Sequence, residues 1–156
     1  MKPKLVLLTL FFAPLLALAQ VRIGRPAPAL QFTGPAFSLA ALKGKVVLVD
    51  FWASWCKACR YDNHSLAPVY NRYRDKGFEI VGISVDHDST AWQNAIRADG
   101  IGWRQFNENG KWNRATAGAW GVKLLPTSFL IDKQGKVISI DPSAAELQRY
   151  LQEALK

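Results

Sequence analysis

The chain of 156 residues carries 20 Lys and Arg against 12 Asp and Glu, a formal charge of +8, with 49% apolar residues and 2 cysteines. This composition excludes a disordered chain and a disulfide-stapled framework, and it suffices for one domain whose core is built by ordinary burial. The basic residues (Lys43, Lys45, Arg60, Arg72, Arg74, Lys111, Arg114, Lys123, Lys133 and Lys136 among them) are scattered, with no block of five like charges. That is the pattern of a solvated surface, not of a nucleic-acid footprint.

In chain order, Lys2 and Lys4 precede an apolar stretch over residues 5–16, and Ala17-Leu18-Ala19 supplies a small-x-small cleavage site. Residues 1–19 are therefore predicted to be a signal peptide for export, leaving a domain over residues 20–156. Pro14 interrupts the stretch, which falls short of the ~20 residues a spanning helix needs. The alternative is an uncleaved N-terminal anchor, and no cysteine follows the segment to carry a lipid. Residues 20–36 are rich in Pro, Gly and Ala, with one short strand expected over 30–33 and a helical turn over 38–42 ending at Gly44.

Residues 46–52 form a continuous apolar run, the signature of a strand buried on both faces and central in its sheet. A helix is predicted over 56–76, where Leu66, Val69, Tyr70 and Tyr73 recur at spacings of three and four; Pro68 inside it is expected to bend or break it. A second apolar strand is predicted over 78–85, ending at the polar loop Asp86-His87-Asp88. Thr90 and Gln93 have capping-box spacing, and Trp92, Ala95 and Ile96 form the apolar stripe of a short helix. A strand over 103–106, a helix over 113–120 closed by Gly121, and a strand through 124–131 that begins at Pro126 come next. The turn 132–135 leads to a strand over 137–140, with Gly135 in the left-handed position of a hairpin loop. Ser143 and Glu146 form a capping box before a helix carrying Leu147, Tyr150, Leu151 and Leu155 on one face. The order implies an α/β fold, a central mixed β-sheet flanked by helices, with a short N-terminal extension.

The two cysteines, Cys56 and Cys59, stand three residues apart directly after the first strand, at the start of a helix. A disulfide closing so small a loop removes little entropy from the unfolded chain and makes a poor staple. Two thiols held there are placed to open and close in exchange. Zinc would need four ligands, and the chain adds only His64 and His87, far apart in sequence.

The run Phe51-Trp52-Ala53-Ser54-Trp55-Cys56-Lys57-Ala58-Cys59-Arg60 resembles the active-site segment of thioredoxin-fold proteins. With the stretches 38–45, 77–86 and 121–132 it is similar to the exported ResA/TlpA-like thiol–disulfide oxidoreductases of the AhpC/TSA–redoxin superfamily, over residues 22–140. The resemblance implies a periplasmic disulfide reductase, active for example in cytochrome c biogenesis or oxidase assembly. It implies protein thiols and disulfides as substrates and a membrane-borne electron donor. A monomer without cofactor, bound metal, nucleic acid or stable membrane insertion is expected. The chain departs from the pattern in three places. Lys57-Ala58 stands between the cysteines where relatives commonly have a proline. His64 replaces the usual helix proline, with Pro68 four residues later, and Leu124 stands where glycine is frequent.

Cys56 is expected to attack, since a helix N-terminus favours the thiolate that is the nucleophile, and Lys57 adds positive charge beside it. Cys59, one turn inside, would resolve the mixed disulfide. Asp50 matches the buried acid of thioredoxin, where many relatives have asparagine. Burial of a carboxylate raises its pKa or demands a partner, which makes Asp50 the expected proton acceptor for Cys59. The alternative turns it toward solvent or pairs it with Lys45. By resemblance Pro126 is cis and packs against the cysteines, with Leu125 and Thr127 presenting main chain to substrate; the alternative is a trans proline at a strand start. Trp55 is assigned to the rim of the site and Trp52 to the core. Trp92, Trp103, Trp112 and Trp120 are assigned to packing, with Trp112 also placed to face substrate. His64 is read as a solvent-facing helix residue, and His87 has no assigned role. Running the site as a disulfide-introducing oxidant, or using the thiols as a metal-delivery module, are the competing readings.

Overall fold

The computed structural model describes residues 21–30, 37–109 and 116–156. The predicted export segment, most of the strand at 30–33, and Trp112 lie outside the described residues. Five strands form one sheet: β1 (Val46–Trp52), β2 (Phe78–Ser84), β3 (Arg104–Asn107), β4 (Thr127–Ile131) and β5 (Val137–Ile140), in the order β3-β2-β1-β4-β5. Among the described residues four α-helices accompany them: α1 (Lys57–Tyr73), α2 (Ser89–Ala98), α3 (Thr116–Ala119) and α4 (Ala144–Ala154), with 3-10 turns at Leu39–Leu42 and Arg74–Lys76.

β1 occupies the centre because all seven of its residues are apolar or buried, and only a strand covered on both faces tolerates that. It pairs parallel with β2 and antiparallel with β4, and β3 and β5 complete a mixed sheet. The two-residue period of the strand splits its side chains between two cores. Val47, Val49 and Phe51 meet Phe129, Trp120 and Ala95 on one face. Val46 and Leu48 meet Leu66, Val69 and Tyr73 of α1 and Leu147 and Leu151 of α4 on the other. Gly82 of β2 is a packing requirement: the Gln105 side chain lies where a Cβ would stand, and it accepts from Trp52 Nε1 at 2.9 Å.

Three local expectations need correction. α1 runs unbroken through Pro68 to Tyr73. The carbonyl that the missing N–H leaves unpaired belongs to His64, and both residues face solvent, where water satisfies it. The N-cap of α2 is Asp88, whose carboxylate accepts from Thr90 N and Ala91 N at 2.8 and 3.0 Å, so Thr90 lies inside the helix and not at its cap. The strand drawn from Leu124 starts only at Thr127, because Leu124, Leu125 and Pro126 form the loop before it. The capping box of Ser143 and Glu146 forms as expected, and Gly135 takes φ +86° in the hairpin turn.

Candidate active site

Cys56 ends the loop that carries the chain from β1 into α1. It is the N-cap residue of α1, and its Sγ accepts from the Cys59 backbone N–H at 3.2 Å. One orphan donor of the helix N-terminus is thus aimed at the sulfur, the geometry that stabilises a thiolate there. The two cysteines form a disulfide with their Cα atoms 5.3 Å apart. Cys56 keeps 8% exposure against 1% for Cys59, so the outer sulfur is the one a partner can reach. Lys57 is exposed at the first helical position, and Trp55 is 66% exposed beside the pair.

One flank of α1 is fastened by saturated carboxylates that the sequence reading missed. Asp86, just past β2, accepts from Ser54 N at 2.9 Å, Ser54 Oγ at 2.6 Å and Ser84 Oγ at 2.7 Å, which pins the loop before Cys56. Asp99, after α2, accepts from Arg60 Nε and Nη2 at 2.5 and 2.6 Å and from Asn63 Nδ2 at 3.0 Å. Desolvation alone would raise the Asp99 pKa, but the Arg60 and Asn63 hydrogen bonds and the Arg60 charge outweigh it and hold the carboxyl below its ordinary value. His64 lies solvent-facing, with Nε2 3.4 Å from Asp99. The hint available in sequence was a carboxylate placed directly after an apolar strand, two residues past Ser84; its other partner, Ser54, belongs to a distant segment.

The opposite flank is different. A cavity of about 250 Å³ opens there between β1, β4, α1 and the start of α4, lined by Asp50, Asp62, Asp141, Pro126, Ser128 and Leu66 among others. Asp50 is 4% exposed and takes neither a hydrogen bond nor an ion pair from any described residue; Lys45, its alternative partner, lies near Glu79 instead, at 3.9 Å. Burial, then the charges of Asp62 and Asp141, push the Asp50 pKa up to about 7. Burial and the Asp141 charge raise that of Asp62 as well. Asp141 is exposed, at φ +50°, and its Oδ1 accepts from Ser128 N at 2.6 Å.

The antiparallel register, with Phe51 opposite Thr127 and Asp50 opposite Ser128, brings Pro126 to the end of β1 where the cysteine loop begins. The Leu125–Pro126 peptide bond is cis. Leu125 is half-buried, and Thr127 is buried with its Oγ1 donating to Leu124 O at 2.9 Å. Asp50 and Pro126 thus share one cavity, while Cys56, Cys59, Lys57 and Trp55 share one loop and helix start. Trp52 is fully buried; Trp103 and Trp120 are core residues and Trp92 packs against the core. Among the described residues no cluster of His, Cys, Asp and Glu suits a metal ion.

Comparison with known proteins agrees with this geometry. Residues 23–140 match the AhpC/TSA family. The thiol-disulfide oxidoreductase ResA of Bacillus thuringiensis (strain Al Hakam) is 34% identical over 140 residues, spanning 86% of this chain and 79% of the relative. The thioredoxin domain of a thiol-disulfide oxidoreductase from Bacteroides vulgatus superposes with a TM-score of 0.76 at 30% identity, over 88% of this chain and all (100%) of that one. A thiol:disulfide interchange protein of the thioredoxin family from Chlorobium tepidum TLS gives 0.69 at 33% identity, over 85% of this chain and 98% of that one.

Proposed function

The chain belongs to the AhpC/TSA family, and on that premise we propose that it works outside the cytoplasm as a disulfide reductase. It is a thiol–disulfide oxidoreductase of the thioredoxin fold, with Cys56 and Cys59 as its redox pair. The observation that carries the reading is the position of that pair: a disulfide at the N-cap of α1, its outer sulfur accessible and its inner sulfur buried.

Starting from the dithiol, the Cys56 thiolate attacks one sulfur of a client disulfide. A Cys56–client disulfide forms and one client thiolate leaves. Cys59 then gives its proton to a carboxylate, attacks Cys56 Sγ and expels the second client thiolate. Two electrons pass to the client, and the protein is left as the Cys56–Cys59 disulfide. Asp50 is the proton acceptor in this scheme, since a carboxyl with a pKa of about 7 is partly ionised near neutrality and can both take and return a proton. Pro126, Leu125 and Thr127 form the opposing wall against which client main chain lies, and Trp55 forms the exposed rim.

Residues 1–19 are the export signal in this reading and residues 20–156 the working domain. Clients are exported proteins bearing disulfides, and a membrane-borne donor resupplies electrons. Among the described residues no helix is long and apolar enough to cross a membrane.

The test of direction is the reduction potential of the pair, read from tryptophan fluorescence in defined thiol–disulfide buffers. A value near the thioredoxin end, about −270 to −230 mV, is expected for a reductase, and one near −120 mV would make the protein an oxidant.

A further inference from the structure

The cavity beside Pro126 holds more carboxylate than proton transfer from one thiol requires. Asp50 lies on its floor, Asp62 half-buried on its wall and Asp141 exposed at its mouth. No Lys, Arg or His among the described residues pairs with any of the three, in a chain whose formal charge is +8. Among the described residues, the sole side-chain hydrogen bond that any of the three makes is the one Asp141 accepts from Ser128 N. Asp50, a residue only 4% exposed, lines the cavity and accepts no hydrogen bond from any described residue, although a carboxylate so placed without a partner is costly. At the rim, the capping box of Ser143 and Glu146 satisfies the backbone N–H groups of those two residues, and no N–H of α4 donates to the three carboxylates.

From this juxtaposition we propose that the cavity is a specificity pocket for a cationic side chain, Arg or Lys, standing next to the client's disulfide. The inference rests on the reductase reading above and deepens it by naming the substrate class. The graded placement, from an exposed to a half-buried to a buried carboxylate, fits a long aliphatic stem with a charged tip, the shape of Arg and Lys alone. Arg offers five donors, and the cavity presents three carboxylates and the Ser128 and Ser65 side chains. Pro126 lines the same cavity, and in the reductase reading it also faces the client main chain, so the guest residue lies within a few positions of the cysteine under attack.

The test uses the full domain, reduced with dithiothreitol and freed of it. Its substrates are synthetic peptides with one intramolecular disulfide, in which Arg, Gln or Glu is scanned through the two residues on either side of the attacked cysteine. Rates are followed by the fluorescence change near Trp55 at about 0.5 M salt, where long-range steering is screened within a few ångströms. At one position Arg should react about tenfold faster than Gln, and Gln faster than Glu, the size of effect one half-enclosed ion pair produces. Asp62→Asn and Asp141→Asn should each shrink the Arg-to-Gln ratio, and Asp50→Asn added to both should bring it close to one, since a ratio of rates cancels any slowing common to all peptides. Asparagine suits Asp141 because it keeps the acceptor for Ser128 N and tolerates the left-handed backbone.

Equal rates for Arg and Gln at every position in the unsubstituted protein overturn the pocket, and so does a preference for Glu. A preference for Arg that survives all three substitutions overturns it too, since the discrimination then arises elsewhere. Failure to reduce any of the peptides or a small aromatic disulfide sinks the reductase reading instead, so the two failures are distinguishable.

Discussion

The two flanks of α1 treat buried carboxylates in opposite ways. Toward α2, Asp86 and Asp99 each collect three hydrogen bonds and fix the cysteine loop and helix start in place. Toward α4, Asp50 is equally buried and collects none from the described residues, and its neighbours Asp62 and Asp141 add negative charge in place of cancelling it. A saturated buried carboxylate rigidifies; an unsaturated one keeps its proton to higher pH and, once ionised, attracts a cation. The molecule uses the first kind to hold the cysteine loop and keeps the second kind in the cavity beside Pro126.

The largest expected effect removes the centre that both flanks serve. Cys56→Ser should reduce disulfide exchange to background, while Cys59→Ser should still attack and accumulate mixed disulfides visible by mass spectrometry. Exchange at an ordinary rate without Cys56 would undo the scheme.

Next comes Asp50. In the folded protein it holds its proton up to about pH 7, against an ordinary value of 3.8, so between those values the folded state binds more protons than the unfolded one. Stability must then fall as pH rises through that window and stay low above it. Asp50→Asn should therefore stabilise the protein at pH 8, by up to about 4 kcal/mol at 1.36 kcal/mol per pKa unit, and by almost nothing at pH 3. Urea unfolding at the two pH values checks this. The same variant should slow release of the mixed disulfide more than its formation; equal slowing of both steps would remove Asp50 from proton transfer.

The contrast between the flanks is sharpened by Asp99→Ala and Asp62→Asn. The first strands Arg60 and Asn63 and should cost about 3 kcal/mol, the range for breaking a largely buried pair. The second relieves repulsion, and its effect should be neutral or slightly stabilising. Equal losses at the two sites in urea unfolding would erase the distinction. The smallest effect is expected at Lys57, which is exposed. Lys57→Gln withdraws a positive charge from beside Cys56, raises the thiol pKa and destabilises the reduced form. The potential should fall by about 10–20 mV, less than the ~30 mV that corresponds to 1.4 kcal/mol. An upward shift would show that Lys57 acts otherwise.

The sequence reading placed the central strand, the two cysteines at a helix start and the C-terminal capping box correctly, because each is declared by a local pattern. Continuous apolarity marks β1, three-residue spacing marks the thiol pair, and Ser143 with Glu146 marks the start of α4. Pro68 misled because its effect depends on whether the freed carbonyl meets water, which the spacing of apolar residues does not state. Asp88 was read as loop because a carboxylate cap and a polar loop residue look alike until the backbone of the next turn is in place. Asp86 was read only as polar loop and Asp99 passed unremarked, because Ser54 for the first and Arg60 and Asn63 for the second come from segments distant in sequence.

By itself the sequence determined what is covalent or periodic: an α/β chain, one redox pair, an apolar central strand with a single acid in it, and a proline heading a later strand. Tertiary structure alone decided what that acid meets. The antiparallel register of β1 and β4 carries Pro126 to the end of β1, and α1 and the start of α4 bring Asp62 and Asp141 to the same cavity as Asp50. Charge–charge effects of this kind fall off over a few ångströms of space and bear no relation to separation along the chain. Asp50 and Asp141 are 91 residues apart in sequence and line one cavity in the fold.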